Sequence, residues 1–225
     1  MNIGLIGLPK SGKTTIFNAL SKSGAEVTAY DTGKVEPNLA VVAVEDERVG
    51  TLSDLYAPEK TTYATFDLVD FAGVGKGFST QGADSAVMKL VKTMDALGVV
   101  VRNFADELNG EPAPDREITP ILDELVLTDM VVVENRLERL TKALSKGVGG
   151  PEAQREQKVL TRIQEQLNDN RPVRTMELSG EEHRVIRGFQ LLTAKPMLVV
   201  INSDEQRFGA DASLQSTLSD HGLTA

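Results

Sequence analysis

Short apolar runs, separated by glycines and polar turns, dominate both ends of this chain. Asn2 to Ile6 is such a run and predicts a buried strand. A glycine-bearing loop follows, after which Lys13 to Ser21 sets Ile16, Phe17 and Leu20 at helical spacing. The local order is therefore strand, loop, helix. Thr28 to Asn38 is rich in turn formers and reads as an exposed loop. Leu39 to Val44 and Phe66 to Phe71 predict two more strands, with a helix over Arg48 to Leu55 between them that ends before Pro58. Leu97 to Val101 and Met197 to Ile201 are again almost wholly apolar, as strands of a helix-covered parallel sheet are. The pattern predicts an α/β sandwich.

From about Thr119 to Leu192 the rhythm changes. Ile121, Leu125, Val132 or Val133, Leu137, Leu140 and Leu144 recur at threes and fours, the seam of a long amphipathic helix. Gly147, Gly149, Gly150 and Pro151 supply a tip, and Leu160, Ile163 and Leu167 mark a returning helix. Ser179 with Glu182 forms a capping box for a third helix carrying Val185, Ile186, Phe189 and Leu192. The expected division is an α/β domain over 1–118, an inserted antiparallel helical arm over 119–192, and the rest of the first domain over 193–225.

Composition narrows the chemistry. The 225 residues are 40% hydrophobic and 25% charged, an ordinary globular balance. Cysteine is absent and the histidines are two, His183 and His221, so thiolate and histidine-rich metal sites are unavailable. A net charge of -9 argues against bulk attraction to DNA or to an anionic membrane. The N-terminal run is too short for a signal peptide and no stretch is long enough to cross a membrane, so a soluble cytoplasmic protein is expected.

Gly7-Leu8-Pro9-Lys10-Ser11-Gly12-Lys13-Thr14 matches the phosphate-binding pattern G-x-x-x-x-G-K-[ST]. Its glycines let consecutive N–H groups point into one concavity, and the following helix presents its positive end to an anion. Lys13 reaches the terminal phosphates, and the Thr14 hydroxyl is suited to Mg²⁺. Asp70-Phe71-Ala72-Gly73 closes an apolar strand, where a P-loop nucleotidase holds the metal's water shell and couples the γ-phosphate to a loop. The glycine-rich segment after Gly73 reads as a loop that orders on binding. Asn202-Ser203-Asp204-Glu205 ends the last strand, at the place where GTPases carry Asn-Lys-x-Asp for the guanine edge.

In this order the motifs resemble the YchF subfamily of the Obg-related GTPases, the Obg-like ATPases. The likeness runs through the P-loop, Val35-Glu36-Pro37-Asn38, Asp70 to Gly73, Val100-Val101-Arg102, the helical stretch and Lys195-Pro196. It implies a Ras-like P-loop NTPase sandwich of three layers with an inserted coiled-coil arm. It also implies ATP or GTP binding with Mg²⁺, hydrolysis commonly of ATP, and association with ribosomes or translation factors. The candidate nucleotide contacts are Lys10, Ser11, Gly12, Lys13, Thr14, Thr15, Gly73, Asn202 and Glu205. Lys13 is the catalytic candidate, and Thr14 and Asp70 are the metal candidates.

Several positions depart from the family pattern. Lys10 stands where the family usually has an asparagine tied to a monovalent cation, which suggests its ammonium replaces that ion. Lys34 replaces the switch threonine, with Thr32 nearby but displaced. Val74 stands where Ras-like enzymes place the water-orienting glutamine. Val99 replaces a histidine offered for that task in the family. The chain also stops at Ala225, after the Asn-x-x-Glu loop, where the family continues with more of the nucleotide domain and a TGS domain. It therefore reads as a truncated protein or a fragment. The leading expectation is a nucleotide switch with slow or partner-dependent hydrolysis. A non-hydrolysing interaction protein acting through its arm is the alternative, and a small-molecule kinase a weaker third.

Overall fold

The computed structural model describes residues 1–22, 37–71, 86–106, 110–209, 214, 218–219 and 221–223. Its centre is a five-stranded mixed sheet of β1 (Asn2–Ile6), β2 (Asn38–Ala43), β3 (Thr65–Asp70), β4 (Ala96–Asn103) and β5 (Met197–Ser203), in the order β2-β3-β1-β4-β5. β1, β3, β4 and β5 are parallel, whereas β2 runs antiparallel to β3.

Alternation along the central strands builds a core on each face. Leu5, Leu68 and Val100 point to one side and bury Phe17 of α1 (Lys13–Ser21). Ile6, Val69, Val99 and Val101 point to the other, against Val87, Met88 and Val91 of α3 (Ala86–Thr93) and the first turns of α4 (Pro114–Ser145). Helix, sheet and helix thus form the three layers. α2 (Glu47–Tyr56) is capped by Asp46, whose carboxylate accepts from Arg48 N, and buries none of its residues.

β2 departs from the expected doubly buried strand. Leu39, Val41 and Ala43 face outward, and only Ala40 and Val42 pack inward. A run of aliphatic residues carries no polar alternation to reveal an edge strand, and its antiparallel sense is set by partner rather than composition.

α4 has 32 residues, about 48 Å at 1.5 Å per residue. It begins at Pro114 rather than Thr119, with Pro114 at its first position and Asp115 and Glu117 in its first turn. Pro120 therefore lies inside the helix, not at its start. The extension adds Ile118 to the apolar seam, and Ile118, Ile121, Leu122 and Leu125 all enter the sheet core. From Val126 onward the same seam packs instead against α5 (Gly150–Asn168), through Val133, Leu140, Val159, Leu160, Ile163 and Leu167. One helix therefore serves two cores. Arg136 and Glu156 bridge the helix pair with hydrogen bonds of 2.7 and 2.8 Å. At the tip, Gly147 and Gly149 adopt φ of 74° and 109°, a left-handed turn that glycine tolerates without strain.

The capping box at Ser179 is present. Ser179 N donates to Glu182 at 2.8 Å and Glu182 N to Ser179 Oγ at 3.3 Å. The helix it starts, α6 (Gly180–Ile186), is shorter than the apolar spacing suggested. The chain tightens into 3₁₀ turns at Arg187–Phe189 and Leu192–Ala194, and Leu192 ends in the sheet core rather than on the arm.

Candidate functional site

The loop from β1 to α1 lies at the carboxyl ends of the central strands, the crevice where open α/β sheets take ligands. Its backbone demands glycine twice. A Cβ on Gly7 would stand 2.4 Å from the Val100 carbonyl oxygen, and one on Gly12 2.0 Å from Asn202 Nδ2. Gly12 caps α1 with no side-chain acceptor, and the first turn of α1 holds no acid. The positive end of that helix is therefore left for an anion.

Lys13 is buried inside the loop's curve. Its ammonium donates to the carbonyls of Gly7 at 3.0 Å and Leu8 at 2.9 Å. A buried cation that donates to neutral carbonyls keeps a positive field at the loop for an incoming phosphate. Next to it, Thr14 Oγ1 donates to Asp70 Oδ2 at 2.7 Å, and Asn38 Nδ2 donates to the same oxygen at 3.3 Å. Asp70 is wholly buried at the end of β3, yet its Oδ1 has no hydrogen-bond partner. Ser11 Oγ, also buried in the loop, has none either. Such orphans are costly in a folded protein unless a ligand completes them.

The donor set fits Mg²⁺. No group of three or more His, Cys, Asp or Glu side chains that could hold a metal occurs among the described residues. Mg²⁺ needs no such cage, because it keeps several waters and takes one or two protein ligands plus substrate phosphates. Thr14 Oγ1 can offer a lone pair while its own O–H goes on donating to Asp70. The free Oδ1 of Asp70 can accept from a metal-bound water.

The remaining candidates are spread more widely. Lys10 sits exposed at the bend with φ 61°, and Thr15 is exposed on α1. Asn202 braces the loop, donating to Ser11 O at 3.0 Å. Glu205 is exposed in the turn after β5. The engaged acid of that turn is Asp204, which binds Arg207, and Arg207 also reaches Glu111 at 2.7 Å. Gly73, Thr32, Lys34 and Val74 lie outside the described residues. Val99 is buried in the sheet core. Arg102, at the end of β4, is buried and holds Glu117 of α4 at 2.7 Å together with the Phe104 and Gly110 carbonyls.

A second polar cluster lies at the root of the arm. Asp129 of α4 is wholly buried and accepts from Leu192 N at 2.9 Å, Thr193 N at 2.7 Å and Thr193 Oγ1 at 2.6 Å. Burial pushes its carboxyl above the ordinary value, against the pull of those donors and of Lys92. Arg174 donates to the Lys195 carbonyl at 3.3 Å and the His221 carbonyl at 3.2 Å, and burial brings it down to about 10. Lys195, lowered by burial too, caps the Lys92 and Met94 carbonyls. These bonds tie α4 to the segment that enters β5 and so fasten the arm to the sheet.

Known proteins are similar to this chain in sequence and in fold. Residues 2–136 match the family described as 50S ribosome-binding GTPase. The ribosome-binding ATPase YchF of Bacillus subtilis is 34% identical over 210 residues, 91% of this chain and 57% of that protein. Obg-like ATPase 1 of Schizosaccharomyces pombe is 34% identical over 218 residues, 92% and 56% of the two chains. The solved structure of the Schizosaccharomyces pombe YchF GTPase superposes with a TM-score of 0.80 at 31% identity, over 98% of this chain and 62% of that one.

The chain belongs to the 50S ribosome-binding GTPase family, in its YchF/Obg-like branch. It spans a little over half the length of the curated relatives it matches. For a YchF-type chain the five-stranded mixed sheet and the packed long helices are the family's own fold. Among the described residues, no helix is long and apolar enough to cross a membrane.

Proposed function

We propose that this chain binds ATP or GTP with Mg²⁺ at the P-loop, hydrolyses it slowly, and works in the cytoplasm as a switch on the ribosome or its factors. One observation carries the reading: a buried Lys13 ammonium in a glycine-built loop, beside a Thr14–Asp70 pair with an unfilled carboxylate oxygen. In this reading the loop amides from Lys10 to Thr15 cradle the phosphates, and Lys13 offsets charge at the β- and γ-positions. Thr14 ligates the metal, Asp70 orders its water shell, and Gly73 senses the γ-phosphate. Asn202 and Glu205 stand on the base side. Bound Mg²⁺ would supply charge neutralisation between the phosphates.

The chain's division belongs to the same proposal, with 1–118 and 193–225 as nucleotide domain and 119–192 as arm. The arm would present the surface that the ribosome or a translation factor meets, since relatives carry the name of ribosome-binding ATPase. Calorimetry with ATP and with GTP, each with and without Mg²⁺, tests the reading. Mg²⁺-dependent binding of at least one is expected, and binding of neither sinks it. Single-turnover hydrolysis with and without ribosomes separates a working switch from a non-hydrolysing interaction protein.

A further inference from the structure

Asn38 and Asp70 are direct partners in the antiparallel pairing of β2 with β3, the pair nearest the P-loop. That register brings an uncharged amide to the metal-side carboxylate. Asp70 Oδ2 then accepts two hydrogen bonds, from Thr14 Oγ1 at 2.7 Å and from Asn38 Nδ2 at 3.3 Å, while Oδ1 accepts none. The division is useful. A carboxylate held through one oxygen by donors from two different elements has a narrower range of rotation about Cβ–Cγ, so its other oxygen keeps a better defined direction. The Thr14 bond alone would leave that torsion restrained by a single donor.

We propose that Asn38 is a positioning residue for the divalent cation, pinning Asp70 Oδ2 so that Oδ1 stays turned toward a hydrated Mg²⁺. This rests on the nucleotide reading above, in which Thr14 and Asp70 flank the metal. It also gives the antiparallel edge strand a purpose beyond the sheet. In a parallel pairing the start of β2 would lie at the opposite end of β3 from Asp70. An amide suits the task because it holds the carboxylate without adding charge that would compete for, or with, the cation.

The test titrates Mg²⁺ against the whole chain and a fixed fluorescent ATP or GTP analogue, reading bound nucleotide rather than turnover. In Asn38→Ala the Mg²⁺ midpoint is expected to rise roughly tenfold, the scale of one hydrogen bond to a charged group. Nucleotide affinity in chelator should stay within twofold. In Asn38→Leu, close to asparagine in volume but without a donor, the midpoint is expected to rise by a similar factor. A role limited to strand packing would leave Asn38→Leu at the wild-type midpoint, and that result overturns the assignment, as does an unmoved midpoint in Asn38→Ala. Should thermal melting show Asn38→Ala unfolded, Asn38→Leu decides alone: a higher midpoint supports the role, an equal or lower one ends it. A wild-type chain that binds no nucleotide at any Mg²⁺ level fails the nucleotide reading itself, and Asn38's role goes with it. Mg²⁺-dependent wild-type binding with unshifted variants sinks the Asn38 role alone.

Discussion

Two buried carboxylates sit on opposite sides of this fold and are treated in opposite ways. Asp129, at the root of the arm, has both oxygens occupied by three donors from one 3₁₀ turn. Asp70, at the end of β3, has one oxygen doubly held and the other left bare, and the Ser11 hydroxyl of the loop is bare as well. Burial of a carboxylate without full hydrogen bonding destabilises a protein, so the second arrangement persists only where something outside the chain completes it. The first arrangement stabilises on its own. A buried acid with full satisfaction marks structure, and one with a vacant oxygen beside a phosphate loop marks function.

The largest effect that could break this contrast is at the loop. Lys13→Ala should weaken nucleotide binding by on the order of a thousandfold, since it removes the charge aimed at the phosphates. Calorimetry reads it directly, and a loss under tenfold would undo the claim that this lysine is a ligand group rather than a loop brace. Asp129→Ala is the opposite case. It strips the acceptor from three donors and should lower unfolding stability by about 3 kcal/mol in urea titration. Nucleotide affinity of the folded fraction should stay within twofold. If Asp129→Ala leaves stability intact but damages binding, the two carboxylates have been assigned the wrong way round.

These two acids also differ in how far the amino-acid sequence discloses them. The P-loop is legible because all its work is done by eight consecutive residues whose backbone geometry is written in glycines, and Asp70 is legible because it ends an apolar strand in the same chain. Asn38 is another matter. It stands in a recognisable segment, but its contact with Asp70 comes from an antiparallel pairing that an all-aliphatic strand does not declare. Asp129 left one overlooked trace: it lies four residues after Leu125 and four before Val133, so the helical seam carries an acid exactly one turn from two core residues on either side. Its partners, Leu192 and Thr193, are more than sixty positions away, and such pairings are made by tertiary packing alone. The apolar seam counted from Ile121 puts the start of α4 near Thr119, whereas Pro114 holds its first position.

The pH response sharpens the contrast at a smaller scale. Burial raises the Asp129 carboxyl in the folded chain above its ordinary value of 3.8. Between those two values the folded state holds more protons than the unfolded one, so stability declines as pH rises. The contribution is complete below 3.8 and is lost as pH passes through the raised value. Urea midpoints taken from acid toward neutral pH should show this falling limb superposed on the acid-side gains of other carboxylates. In Asp129→Asn the limb should vanish, and its persistence would assign it to another group.

The smallest expected effect concerns Lys10, an exposed residue at the bend of the loop. It holds φ 61°, a left-handed conformation that lysine adopts at some cost and asparagine adopts more readily. Lys10→Asn should therefore stabilise the ligand-free chain by a few tenths of a kcal/mol, if it changes stability at all. Its value lies in the ion. If the ammonium stands in for a monovalent cation beside the phosphates, wild-type affinity should be indifferent to exchanging K⁺ for Na⁺ at constant ionic strength, and the asparagine variant should prefer K⁺. A wild-type chain that already depends on K⁺ removes Lys10 from the nucleotide side of the comparison. It would leave the left-handed lysine as a strained surface residue, with the loop's charge carried by Lys13 alone.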